Sequence, residues 1–567
     1  MAVACLVPLT APFAAWTTDT AVNTPICLYT GEQWNTVAVS DGAGGAIIAW
    51  QDRRAGYPDD NIYARRVDAN GNPLWTADGV VICNAADVQS YPRIVSDGAG
   101  GAIIAWLDRR YGGNPTNIFA QRVDGNGNVL WTGNGVPVSV TGPFNGRKGV
   151  PSLVSDGVGG AFCTWEDERS IVADIYAQHI NSNGSMSWAA NGRLVCNAGN
   201  PQTAPVITPD GIGGAIVAWE DQRLAAPARG IYAQRVYADT TRWTSNGIVV
   251  YDASQQYEPR IALDGTGGAI IVWRDLRGGA YQLYAQHVNH VGSLLWNASG
   301  VAVCTTAGGT SDVSCISDGA GGAVVTWLDY RGASEMYAQR LSGSGSIRWI
   351  ANGVALTTSG TSKTAPFAIG DGKGGALMAW HELRAPNSYN VYAQKVDSLG
   401  TAAWGTSGAA MATAINAQRY PSIVSDGAGG AIVAFDDLRN GTDTNIYAQE
   451  INGAGLVGGG LLPTGIRETP RSAVARLRQN TPNPFNPSTS ISFDLDARSF
   501  VALSVFDVRG KEVAALIRGE MDAGTHTRAW NATGLASGVY LYRLSVVPAG
   551  GVGTHAFSET RKLVLLK

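Results

Sequence analysis

The phrase SDGAGGAIIAWQDRR at residues 40–54 returns almost unchanged as SDGAGGAIIAWLDRR at residues 96–110. Looser copies follow, with the leading Asp at 41, 97, 156, 210, 264, 318, 371 and 426, so eight copies recur every 53 to 59 residues. A repeat this long is one supersecondary unit, too small to bury its own core and stable only when stacked on its neighbours.

Each unit divides into four runs rich in β-branched and aromatic residues, bounded by Gly, Asn and Asp turns. The first run precedes the phrase. The second is GAIIAW and its relatives, ending in Trp50, Trp106, Trp165, Trp219, Trp273, Trp327, Trp380 and Phe435. The third centres on Tyr63, Phe119, Tyr176, Tyr232, Tyr284, Tyr337, Tyr392 and Tyr447. The fourth is expected to begin at Trp75, Trp131, Trp188, Trp243, Trp296, Trp349 and Trp404. The eighth unit lacks this last run, but Trp16 and TTDTAVNTPIC near the start resemble it. The pattern predicts an all-β chain: an eight-bladed β-propeller over residues 16–454, closed by its N-terminal strand. Closure removes the edges that an open array would expose.

The glycine-rich phrase joins strand to strand, not strand to helix, so it lacks a dinucleotide-binding context and reads as a turn. DANGN and DGNGN at residues 68–72 and 124–128 look calcium-like, but the equivalent NHVGS and SGSGS have lost the carboxylate, which favours a hairpin turn. No cofactor and no metal site is expected, and no catalytic residues are assigned. Charged residues are only 15% of the 567 and net charge is −4, against a nucleic-acid partner. No apolar run is long enough for a transmembrane span. Residues 1–15 read as a partial signal segment, within which Cys5 weakly suggests a lipid site. Cys27, Cys83, Cys196 and Cys304 hold similar places in different units, too far apart to bridge; with Cys163 and Cys315 they read as small buried hydrophobes.

Two turns per unit have near-constant length and two connections vary. In an antiparallel four-stranded unit, alternate connections share a face. The working face is therefore expected to carry the variable loops at 55–60, 111–116, 170–173, 224–230, 278–282, 332–335, 385–390 and 440–444, with 141–150 beside them. Candidate binding residues there are Tyr57, Asp59, Tyr111, Asn114, Arg229, Tyr281, Glu335, Tyr389 and Asp443.

After each strand-two aromatic comes x-D-x-R: Asp52/Arg54, Asp108/Arg110, Asp167/Arg169, Asp221/Arg223, Asp275/Arg277, Asp329/Arg331, Glu382/Arg384 and Asp437/Arg439. Near-identical copies favour a structural acid–arginine network between blades over a catalytic centre, which is normally asymmetric. The rival reading is an arginine ring for anionic glycans. His381 beside Glu382 is the one irregular titratable pair, read as surface variation.

The repeat ends near residue 455, and residues 455–478 read as a linker. Residues 479–567 carry about seven short strands, which suit a small immunoglobulin-like sandwich. NTPNPFNPSTSISF, VFDVRGKEV, LASGVYLYRL and the terminal KLVLLK resemble the C-terminal sorting domain of type IX secretion substrates, and equally the related FlgD-type Ig-like domain. The resemblance implies a bacterial protein exported across the outer membrane, secreted or held at the cell surface, with the secretion machinery as partner. The propeller repeats resemble those of secreted bacterial proteins, which brings no activity. The expected function is non-enzymatic binding or adhesion to a glycan or protein ligand. The alternatives are a glycan-active hydrolase or lyase acting at the propeller mouth, and a structural surface-assembly subunit.

Overall fold

The computed structural model describes residues 16–566, apart from 113–115, 141–146, 171, 225–227, 238–239, 254, 386–387, 459–474, 496, 508–511 and 549–556. The signal segment, Cys5 and Asn114 lie outside the described residues. The chain divides into two compact units, Met1–Gly460 and Leu461–Lys567, and the described residues contain no helix.

In the first unit the repeats become eight antiparallel sheets, seven with four strands and one with a short fifth. The first sheet runs Gln33–Ser40, Ala46–Asp52, Asn61–Val67 and Val80–Cys83. The eighth takes three strands from Gln418–Ser425, Ala431–Asp437 and Asn445–Ile451 and its fourth from Thr24–Cys27. Thr24 and Pro25 pair antiparallel with Ala448 and Tyr447.

Second strands such as AIIAWQD are buried along their whole length. Alternate side chains enter different cores. Ala46, Ile48 and Trp50 pack with Ile26, Ala434 and Ala448 of the eighth sheet, while Ile47 and Ala49 pack with Ile104 and Trp106 of the second. A strand covered on both faces reads as an unbroken apolar run, not as an alternation. Eight such clusters each join two neighbouring sheets, including the last with the first.

The turns show why the phrase needs its residue types. Asp41 Oδ1 accepts the N–H groups of Ala43 and Gly45, each at 2.8 Å, and its Oδ2 takes the Arg66 guanidinium. A Cβ on Gly45 would lie 2.2 Å from the Val67 carbonyl oxygen. The SDGxGG segment is thus a folded turn joining two strands.

The expectation that the fourth strands begin at tryptophan is corrected. Trp75 has φ +65° and lies in the connection, and the strand starts only at Val80. The indole leaves its own sheet and donates to Gly125 O of the next at 3.0 Å, over Gly127, where a Cβ would meet the ring at 2.8 Å. Trp16 does the same for the eighth and first sheets, donating to Ala69 O at 3.0 Å above Gly71.

The second unit has two sheets. One joins Ala475–Leu477, Ser488–Leu495 and Gly524–Asn531; the other joins Glu512–Met521, Ser499–Asp507, Gly538–Pro548 and Phe557–Leu565. They share one core around Phe493, Trp530, Tyr542 and Leu563. Ala475–Leu477, inside the segment read as linker, is therefore a strand of this unit, and Val457 bridges Ile451 in the first.

Candidate functional site: the variable-loop face

Beneath the variable loops, each acid–arginine pair lies within one sheet. Asp52 Oδ2 accepts Trp50 Nε1 at 2.8 Å and Arg54 Nη2 at 2.6 Å, and the guanidinium stacks 3.7 Å over Tyr63. Arg54 reaches the preceding sheet through Cys27 Sγ at 3.4 Å, and Arg110, Arg223 and Arg331 meet Cys83, Cys196 and Cys304 likewise. Burial pushes the thiols of Cys27, Cys83 and Cys196 up to about 12, so they are neutral. The six described cysteines are free. These arginines are spent internally: Arg169, Arg277, Arg384 and Arg439 pair with Asp167, Asp275, Glu382 and Asp437, and Arg110, Arg223 and Arg331 with Asp108, Asp221 and Asp329.

A second ring changes chemistry from copy to copy. It is the residue directly after the strand-two aromatic: Gln51, Leu107, Glu166, Glu220, Arg274, Leu328, His381 and Asp436. Opposite it, the first strand of the following sheet bulges, with non-glycine residues in the left-handed region: Tyr91 (φ +53°), Ala204 (+52°), Glu258 (+51°) and Tyr420 (+50°). Their N–H groups are caught by the preceding sheet. Ala204 N donates to Glu166 at 2.6 Å, Glu258 N to Glu220 at 2.7 Å, Tyr420 N to His381 Nδ1 at 3.3 Å, and Thr36 Oγ1 donates to Asp436. Sequence reasoning singled out only His381 here. The signal was the x of W-x-D-x-R, the slot whose charge changes while its neighbours stay fixed.

The candidate binding residues fall into separate sectors. Arg229 and Tyr281 come together: Arg229 pairs with Glu220 and stacks on Tyr257 at 4.9 Å, Tyr257 meets Tyr281 edge-on at 5.6 Å, and Arg274 lies 3.9 Å over Tyr281 while pairing with Glu258 at 2.8 Å. Tyr389 belongs to a different sector, edge-on to His381 at 5.2 Å, with Tyr420 on His381 at 5.3 Å. Arg419 stacks 4.9 Å over Tyr389. Tyr57 is 85% exposed beside Arg53, and Tyr111 is exposed near Phe119. Asp59 accepts Asp87 N at 2.8 Å, Glu335 pairs with the buried Lys363, and Asp443 is half-buried, its N–H donating to Asn440.

The electrostatics follow from burial. His381 is pushed down to about 4 by desolvation and by Arg419, so it is neutral at pH 7, and the bond from Tyr420 N places its proton on Nε2. Burial raises the Glu166 carboxyl, with Glu220 and Glu168 adding to the effect against the Ala204 N–H. No group of three or more His, Cys, Asp or Glu among the described residues is placed to hold a metal.

No curated protein matches the sequence. Solved structures resemble it distantly. An ulvan lyase, a polysaccharide lyase, is 10% identical over 76% of this chain and 96% of that one, with a TM-score of 0.36. A Dyadobacter fermentans protein described as of unknown function is 11% identical over 76% and 98%, with a TM-score of 0.34. An endo-arabinase from Bacteroides thetaiotaomicron is 12% identical over 53% and 92%, with a TM-score of 0.27. These likenesses are too distant to carry an activity across. No helix among the described residues is long and apolar enough to cross a membrane. Residues 481–548 match the secretion system C-terminal sorting domain, so this all-β repeat chain carries the tail that marks type IX export to the cell surface or beyond.

Proposed function

We propose that the eight sheets are the blades of a closed eight-bladed propeller, followed by an Ig-like export module, and that the variable-loop face binds a glycan at the cell surface. One observation carries this: that face holds tyrosine–arginine stacks differing from sector to sector, such as Tyr257/Tyr281 with Arg229/Arg274 and Tyr389/Tyr420 with Arg419. Aromatic faces pack on the C–H faces of sugars, and arginine forks hold their polar substituents. The opposite turns repeat with less variation, the departure being the fourth repeat, where Arg242 stacks on Tyr237 at 4.7 Å. The test is a glycan array probed with the chain and with variants whose loops 278–282 and 385–390 are exchanged for those of other repeats. Loss or change of the bound set is expected; an unaltered set after both exchanges would refute the assignment of the face.

A second reading, a glycan-active hydrolase or lyase, draws on the neutral His381 held between Tyr389 and Tyr420. Release of new oligosaccharide ends from a bound polysaccharide, abolished in His381→Ala, would favour it.

A further inference from the structure

The arginines of the variable-loop face differ in whether their charge is already met. Arg53 is neutralised by Asp60 and Glu32, Arg229 by Glu220, and Arg274 by Glu258. Arg419 makes no ion pair among the described residues, and its Nε is buried without a hydrogen-bond acceptor. The carboxylate across the strand from it does not serve. Asp436 pairs in register with Arg419 but turns to the Thr36 hydroxyl of the first sheet. His381, held neutral by burial and by Arg419, offers no counter-charge. The guanidinium is held in place by stacking on Tyr389, and Tyr420 is 55% exposed at the same corner. A fixed, half-buried cation with unused donors, flanked by aromatic faces, is the arrangement that recognises a planar anion on a ring-shaped ligand.

We propose that the junction of the seventh and eighth sheets binds a uronate residue of an acidic polysaccharide, with Arg419 taking the carboxylate and Tyr420 packing against the sugar ring. This rests on the glycan-binding reading and adds its ligand class. The sectors of Arg53, Arg229 and Arg274, whose charges are already paired, supply contacts to neutral sugars along the same chain.

Affinity electrophoresis of the full chain through polygalacturonate, fully methyl-esterified polygalacturonate, dextran sulfate and neutral galactan tests it. Retardation by polygalacturonate is expected, weakening with salt, and lost on esterification. Arg419→Gln should weaken it roughly tenfold to a hundredfold, as for a hydrogen bond to a charged group. Arg348→Gln, in a constant turn, should change nothing. Equal retardation by the acid and its ester, or an Arg419→Gln chain that binds as the wild type does, overturns the inference. Equal binding to dextran sulfate overturns the choice of carboxylate. The acid–ester comparison needs no variant, so it stands even if Arg419→Gln is poorly folded. Binding to neutral galactan alone sinks this inference and leaves the broader reading; failure to bind every polymer sinks both.

Discussion

Asp436 lies where the chain closes on itself, 3% exposed, with its carboxylate against Thr36 of the first sheet. Burial pushes this carboxyl up to about 7, although the Thr36 hydroxyl and the N–H groups of Asn35 and Thr36 favour the anion. An unfolded aspartate titrates near about 4. Between those values the folded chain holds a proton that the unfolded chain has released. Stability from this residue is therefore full at acid pH, falls as pH rises through that window, and stays low above it, by a few kcal/mol at most. Asp436→Asn carries no such proton. Its melting temperature relative to wild type should climb between about pH 4 and pH 7 and then level off. A difference that is flat across this range would mean the carboxyl is not protonated in the fold. The residue was invisible to sequence reasoning for a physical reason. In the eighth repeat, FDDLR, it fills the x of the same aromatic-x-D-x-R slot, and only the adjacent first strand, some four hundred residues earlier, removes it from water. His381 was visible as an odd residue, but its Tyr389 and Tyr420 neighbours come from the strand Ser388–Val396 and from the following repeat.

Whole strands were far more legible than side-chain neighbourhoods. Second and third strands fell where the apolar runs placed them, because β-branched and aromatic residues covered on both faces leave an unbroken signal. The fourth strands did not. Their tryptophan bears the strongest apolar signal in the segment, yet it serves the next sheet, and the strand that follows is a plain VVIC or RLVC. What fixes these tryptophans, Trp188 excepted, is a glycine in another repeat, a relation that spacing within one repeat does not contain. The same contact makes a test of closure. Trp16 is 5% exposed and packs in the cluster shared by the first and eighth sheets. Trp16→Ala should cost about 3–5 kcal/mol, the usual loss for a large buried aromatic. Gly71→Ala should also destabilise: its φ is +86°, and the new Cβ would sit 2.9 Å from the indole of Trp16. Because both changes act on one contact, the double variant should lose less than the sum of the two. Urea unfolding of the three variants measures this. Strict additivity would mean that the tryptophan and the glycine do not meet.

The two units have separate cores: eight clusters confined to the repeats, and one confined to the tail around Phe493, Trp530 and Tyr542. Among the described residues, each unit fills its own apolar core. The tail instead carries the match to the sorting domain. Folding and export should therefore come apart. A chain ending at Gly460 keeps every strand of the eight sheets, including the pairing of Thr24 and Pro25 with Ala448 and Tyr447. It should unfold at nearly the temperature of the full chain's repeat transition. In cells, however, it should collect in the periplasm instead of reaching the surface or medium. Fractionation of the type IX host, with thermal unfolding of the purified truncated chain, reads both outcomes. Truncated protein found outside the outer membrane at full-length levels would place the export signal within the repeats. A large fall in the repeat transition would mean that the tail contributes to their stability through contacts other than a shared apolar core.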